Sequence, residues 1–205
     1  MERRLIATAE QFTAHGALAL RNARLLEQVQ FLAERDALTG VRNRRSFQRE
    51  LARHLSHSDR ADEPLSLAMF DLDHFKRLND RYGHQVGDDA LRRAAEALSS
   101  ASRAFDIVAR YGGEEFAVIM PALPSGEALR TVERLRAAIA KAGGPAPVTA
   151  SVGVATYPTN ARDAESLIRF ADEALYQSKA KGRNQATRSR RRGGLGTVAR
   201  AAKGA

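Results

Sequence analysis

The stretch IVARYGGEEFAVIM, residues 107–120, decides how the chain folds. Ile107 to Arg110 and Phe116 to Met120 are short apolar runs suited to strands, and Gly112 and Gly113 between them offer the positive φ that a two-residue primed turn requires. The pair therefore reads as a tight β-hairpin, and hence as antiparallel sheet. Two carboxylates, Glu114 and Glu115, follow the turn at once.

Helix signals alternate with strand signals on either side of the hairpin. Residues 44–57 read as a helix and LSLAMF (65–70) as a short buried strand. Residues 86–101 form an amphipathic helix with Val86, Ala90, Leu91, Ala94, Ala97 and Leu98 on one face. Residues 127–141 are a further helix, VTASVGVAT (148–156) another strand, and residues 164–181 the last helix. Helices interleaved with a central hairpin predict an α+β sandwich, a mainly antiparallel sheet with helices packed on it.

The 205 residues suit one domain with extensions. With 43% hydrophobic and 28% charged residues the composition is that of an ordinary soluble globular protein. There are no cysteines, which excludes disulfides and thiolate metal sites. Near the start, Glu10, Gln11 and His15 interrupt the apolar run before a signal-peptide core or a membrane span could form, so a cytoplasmic location is expected. The net charge of +9 is concentrated at the C-terminus, where residues 186–205 carry six basic side chains and no acidic one, leaving +3 for the other 185 positions. That Gly-, Ala- and Arg-rich end has little to bury and is expected to be a disordered basic tail, with no specific nucleic-acid role. Residues 1–35 carry apolar side chains at helical spacing, either Leu5, Ala9, Phe12, Gly16, Ala19, Ala23 and Leu26 or the tighter Leu18, Asn22, Leu25, Val29 and Leu32. Both a coiled-coil stalk and a helix lying on its own domain fit this spacing.

The strand 65–70 runs into FDLDHFKRLND, so Asp71 stands at its end and Asp73 shares its face if the extended geometry persists. A hairpin beside that strand would bring Glu114 and Glu115 close to Asp71. Three or four converging carboxylates repel one another unless a cation neutralises them, and a hard divalent ion with oxygen ligands is the economical partner. No Walker-type phosphate loop is present. Phosphate would have to be met by Lys76, Lys179 and Arg183, with backbone N–H groups at the start of the helix after Phe75. Taken singly, Asp-x-Asp is an ordinary strand end and Gly-Gly-Glu-Glu an ordinary hairpin tip.

In order and spacing, DALTGVRNRR (36–45), FDLDHFKRLNDRYGHQVGD (70–88), RYGGEEF (110–116) and ADEALYQSKAKGRN (171–184) resemble the GGDEF family, the diguanylate cyclases, in its GGEEF variant. The resemblance covers residues 36–185, and implies a palm-type fold of the nucleotidyl cyclase and polymerase kind. It also implies condensation of two GTP into cyclic di-GMP with release of two pyrophosphates, using Mg²⁺ or Mn²⁺, two ions per half-site. By the family's pattern Asp71, Glu114 and the Leu72 carbonyl hold metal, and Glu114 is the candidate for taking the 3′-hydroxyl proton, with Glu115 the neighbouring acid. Asn79 and Asp88 match the guanine-reading pair, and a carboxylate can accept from guanine N1–H and N2–H, donors that adenine cannot offer together. Lys76, Lys179 and Arg183, with the His74 and Phe75 backbone, match the phosphate contacts. The bare Gly112 and Gly113 would let a nucleotide lie against the hairpin.

Asp73 is expected to cap or hydrogen-bond locally, His84 to be structural, and Arg42 and Arg45 to make folding contacts. Arg103 and Asp106 form an RxxD that matches the family's product-inhibition site, where an arginine fork and an acceptor suit cyclic di-GMP. The reaction implies a homodimer, because each bound GTP must meet another, and the N-terminal helix would serve as its stalk. That helix also resembles the exit of a GAF-type sensor, so a sensor upstream of this chain is a possible partner. The alternatives are a non-catalytic receptor for GTP or cyclic di-GMP, a nucleic-acid binder acting through its tail, and a cyclase for other nucleotides.

Overall fold

The computed structural model describes residues 34–190, together with Gly16, Leu20 and Arg21. The rest of the stalk, and the tail from residue 191, lie outside the described residues. The elements run α1 (Arg44–Ala61), β1 (Leu65–Leu72), α2 (Phe75–Tyr82), α3 (His84–Ala101), β2 (Ile107–Arg110), β3 (Glu115–Pro121), α4 (Ser125–Lys141), β4 (Ala150–Tyr157), α5 (Ala164–Ala180) and β5 (Ala186–Arg188). The strands form one sheet in the order β2-β3-β1-β4-β5, antiparallel except for the parallel β4–β5 pair.

β1 sits at the centre and all eight of its residues are buried, because both faces of the sheet are covered. Strand alternation sends Leu65, Leu67 and Met69 into a core with Phe47 and Leu51 of α1 and Phe170 and Leu175 of α5. Ala68, Phe70 and Leu72 enter the opposite core with Leu91 and Leu98 of α3 and Val132 and Leu135 of α4. The result is the three-layer α+β sandwich expected. Asp71 has the parity of Met69 and so belongs to the α1/α5 face.

Local signals fix the helix ends. Asn43 precedes α1 and its side chain accepts from the Ser46 N–H, while Asp163 precedes α5 and forms a reciprocal box with Ser166. At the middle of β4, Gly153 lets α5 approach so closely that a Cβ there would stand 2.1 Å from both Ala171 O and Leu175 N. Ser66, wholly buried, donates to Leu123 O and shares a hydrogen bond with Thr156 Oγ1, which satisfies the polar atoms inside the sandwich.

One boundary moves. Residues 186–188, placed in the basic tail from composition, form the edge strand β5 instead. Glu133 Oε1 accepts from Ala186 N–H at 2.7 Å and Val154 O accepts from Ser189 N–H at 2.8 Å. These partners come from α4 and β4, which composition of the tail cannot reveal. Among the described residues no helix is long and apolar enough to cross a membrane.

Candidate active site

The β1–β3 pair ends at the site. Asp71 lies opposite Glu115 in the ladder, and Leu72 N–H donates to Glu114 O at 3.2 Å, so the first acid and the two that follow the turn share one end of the sheet. Asp71 is 8% exposed and its Oδ2 is 2.7 Å from Lys179 Nζ of α5. Burial, with the Asp71 charge and then that of Glu115, pushes the Glu114 carboxyl above its usual range, and Lys179 only partly offsets this. Asp71, Glu114 and Glu115 lie close enough for the charges of the other two to raise Glu114. Among the described residues no three acidic or imidazole side chains gather closely enough to hold an ion alone, and Lys179 neutralises Asp71 instead. The side-chain donors near one another are hard oxygens, Asp71 and Glu114, which suits a magnesium-type ion taking its remaining ligands from backbone, water and phosphate.

The turn is wider than the primed hairpin predicted. Neither Gly112 nor Gly113 has positive φ, and Tyr111 N–H and Gly112 N–H both point to Glu115 O, at 2.8 and 3.3 Å. Glu115 folds back over Gly112, so that a Cβ there would be 2.3 Å from its Oε2, the movable end of that side chain. At Gly113 there is open space. Arg110, to which the sequence assigns no role, braces this turn. Its Nε and Nη2 donate to Gly113 O at 3.1 and 2.7 Å, while Nη1 donates to both Asp36 oxygens at 3.0 and 3.2 Å. Burial raises the Asp36 carboxyl, but hydrogen bonds from Thr39 and Arg110 outweigh it and hold the group below its usual range.

Asp73 is held by partners outside the β1–β3 pair. It accepts from Thr149 Oγ1 at 2.7 Å, Ser151 Oγ at 2.6 Å and Asn184 N–H at 3.0 Å. These partners are distant in sequence, so the local cap expected for Asp73 is replaced by a three-way tie. The tie fastens the loop Gly182, Arg183 and Asn184, three successive positive-φ residues, beside the start of α2 and so positions Arg183. His74, at φ 58°, leaves the α2 N-terminus without a side-chain cap, and Lys76 is exposed in its first turn. Asp73→Asn is expected to destabilise the chain by about 1–2 kcal/mol, since one charged acceptor is exchanged for an amide that is half donor. Thermal denaturation followed by circular dichroism measures this, and an unchanged midpoint would show that the tie carries no weight.

Gly87, which precedes Asp88 on α3, lies against Asn79 of α2. Asn79 Oδ1 is buried without a partner and sits 1.8 Å from where a Cβ at 87 would be, with Phe75 Cζ 3.2 Å from the same point. An orphaned buried acceptor is costly, and a guanine N–H donor would satisfy it. Gly87 was legible in GHQVGD only as a letter. His84, expected to be structural, is exposed and its imidazole makes no hydrogen bond or ion pair among the described residues. Arg42 makes the folding contacts expected, to Glu34, Ser46 and Glu50, whereas Arg45 is exposed.

Arg103 and Asp106 are the ends of a turn closed by Asp106 N–H donating to Arg103 O at 3.0 Å. Asp106 Oδ2 accepts from Arg103 N–H at 2.8 Å, and the Arg103 guanidinium makes no hydrogen bond among the described residues. Burial raises the Asp106 carboxyl, against the pull of Arg103 and of Arg134. Sequence reading missed Arg134 on α4, which only the fold brings near. It missed Asp172 on α5 as well, whose carboxyl is raised by burial and by Glu115 and lowered by Lys179, which places it at the edge of the acidic site.

Comparison with known proteins identifies the family. The family model described as "Diguanylate cyclase, GGDEF domain" matches residues 33–185. The chain is 41% identical over 162 residues to the response regulator PleD of Caulobacter vibrioides, covering 75% of this chain and 35% of that protein. It is 38% identical over 156 residues to diguanylate cyclase DosC of Escherichia coli, covering 73% and 34%. It thus spans about a third of the length of these curated relatives. The coiled coil and GGDEF domain of DgcB from Caulobacter crescentus, solved in complex with c-di-GMP, superposes with a TM-score of 0.78 at 33% identity, covering 87% of this chain and 97% of that one. With its palm-like sandwich and the Gly112-Gly113-Glu114-Glu115-Phe116 turn facing Asp71, the chain belongs to the GGDEF family.

Proposed function

We propose that the chain is a diguanylate cyclase that joins two GTP molecules into cyclic di-GMP. The 3′-oxygen of each GTP forms a bond to the α-phosphorus of the other, the bond from that phosphorus to the β-phosphate bridging oxygen breaks, and two pyrophosphates leave with two hydroxyl protons released. The observation that carries this reading is the nearness of the Asp71 and Glu114 carboxylates at one sheet end, with Lys179 at 2.7 Å from Asp71 and open space at Gly113. Asp71, Glu114 and the Leu72 carbonyl would hold Mg²⁺ or Mn²⁺, two ions per half-site. Such an ion would neutralise the triphosphate and ease departure of pyrophosphate. Glu114, raised by burial and by Asp71, is suited to accept the 3′-hydroxyl proton, with Glu115 beside it. Lys76, Arg183 and the uncapped start of α2 at His74 and Phe75 would bind phosphate, and Asp88 with the orphaned Asn79 oxygen would read guanine.

Two such domains must face each other, so the working form is a homodimer in the cytoplasm, with a sensor domain as a candidate partner. Incubating the chain with GTP and Mg²⁺ and identifying the product by mass tests this. Cyclic di-GMP is the expected product, while GTP that binds and is not consumed would favour a non-catalytic receptor.

Inhibition by product at Arg103 and Asp106 is the second part of the proposal. It is supported by the free guanidinium of Arg103 and by Arg134 near Asp106. Arg103→Ala is expected to raise the product concentration needed for half-inhibition by roughly 10- to 100-fold, the loss of charge-assisted hydrogen bonds. Progress curves at increasing cyclic di-GMP measure it, and an unmoved half-inhibition point would remove Arg103 from this role.

A further inference from the structure

The turn from Arg103 to Asp106 carries a side chain that neither the fold nor the arginine–aspartate pair explains. Phe105 stands at its third position and is 82% exposed, more than any other large apolar side chain among the described residues. It belongs to neither core. Turn corners favour Gly, Asn, Asp and Ser, and a phenyl ring left in water forgoes the stabilisation that burial brings.

Beside Phe105 opens a cavity of about 720 Å³ between the turn and the C-terminal half of α1. Arg103 and Asp106 line it from the turn, and Arg53, His54 and His57 line it from α1. This volume is within the range of small-molecule sites. Three chemistries meet there: cationic nitrogen for phosphate, a carboxylate that can accept from N–H donors, and an uncovered aromatic face. A guanine nucleotide presents the three matching parts, namely phosphate, the N1–H and N2–H edge, and a flat π surface.

We infer that Phe105 is a base-stacking residue, whose ring receives the face of a guanine of cyclic di-GMP held in this cavity. The inference rests on the reading of Arg103 and Asp106 as the inhibitory site, and adds to it a residue that the RxxD pattern leaves unspecified. The phosphate would be gripped from the Arg103 side and the guanine edge would meet Asp106. Base–aromatic stacking tolerates any base, so the aspartate supplies the choice of guanine and the ring supplies affinity.

The chain has no tryptophan, so Phe105→Trp gives a single fluorescent reporter in the full-length protein. Cyclic di-GMP is expected to quench it with the midpoint that calorimetry gives for the unmodified chain. Phe105→Ala and Phe105→Leu should both weaken cyclic di-GMP binding by roughly 5- to 100-fold, while Phe105→Tyr stays within about threefold. Equal weakening by Leu and Ala separates a ring face from a mere apolar cover. Unchanged affinity in Phe105→Ala, or full affinity in Phe105→Leu, would overturn the inference. So would a Phe105→Ala variant that loses self-association on sedimentation while keeping its affinity, since Phe105 would then be a contact between copies. If the unmodified chain binds no cyclic di-GMP, or Arg103→Ala binds it equally well, the inhibitory-site reading itself fails, a result distinct from loss of stacking alone.

Discussion

Asp71→Asn is expected to lower the rate of cyclic di-GMP synthesis by at least about 10²- to 10³-fold, the scale on which a single electrostatic contact to the reacting phosphates matters. Asparagine keeps the shape and most of the packing at a position that is 8% exposed, so the fold should persist. What it removes is the negative charge that Lys179 meets at 2.7 Å and that an ion would share with Glu114. Lys179 is about one-third exposed and water can take over its solvation, which keeps the stability cost small. Glu114→Gln should be as damaging, for it removes an oxygen ligand and the proton acceptor together. Initial rates with GTP and Mg²⁺, together with circular dichroism, check both variants. Retained synthesis in either folded variant would refute the metal assignment.

Gly153→Ala is expected to destabilise the protein by about 3 kcal/mol or more, since inserted atoms in a packed core cost roughly that much when they cannot be absorbed by a rotamer change. The obstacle is backbone. The new methyl would lie 2.1 Å from Ala171 O and Leu175 N, so α5 must lift from β4 along the length where Leu167, Ala171 and Leu175 are buried. For a chain of this size the denaturation midpoint should fall by roughly 6–12 °C. A midpoint within experimental scatter of the unmodified protein would mean that α5 shifts without penalty. Lys179 rides on the same helix, so loss of activity should accompany loss of stability.

What the sequence disclosed was local or periodic. The short apolar run LSLAMF gives a buried strand, the spacing in residues 86–101 gives the face of α3, and Gly112-Gly113 between apolar runs gives the hairpin. Asp71 and Glu115 across one rung followed from those two readings. The remainder depended on partners far along the chain. In sequence Asp73 reads as a local cap because the groups that donate to it, on Thr149, Ser151 and Asn184, are brought to it only by folding. β5 was hidden inside a basic, glycine-rich end because its N–H groups are satisfied by Glu133 and by β4. Turn preference predicts positive φ for the glycine pair, whereas neither Gly112 nor Gly113 has it, because the Tyr111 and Gly112 N–H groups both close on Glu115 O. Lys179 was proposed for phosphate, and its pairing with Asp71 needed α5 to be laid across β1 and β4.

Arg110 touches two regions with one rigid fork, the carboxylate of Asp36 and the carbonyl of Gly113. A planar guanidinium cannot stretch, so any pull or twist delivered through the chain ahead of Asp36 either drags the Gly112-Gly113 turn with it or snaps the brace. The chain's head and the bend beside Asp71 are thereby mechanically in series through a single side chain.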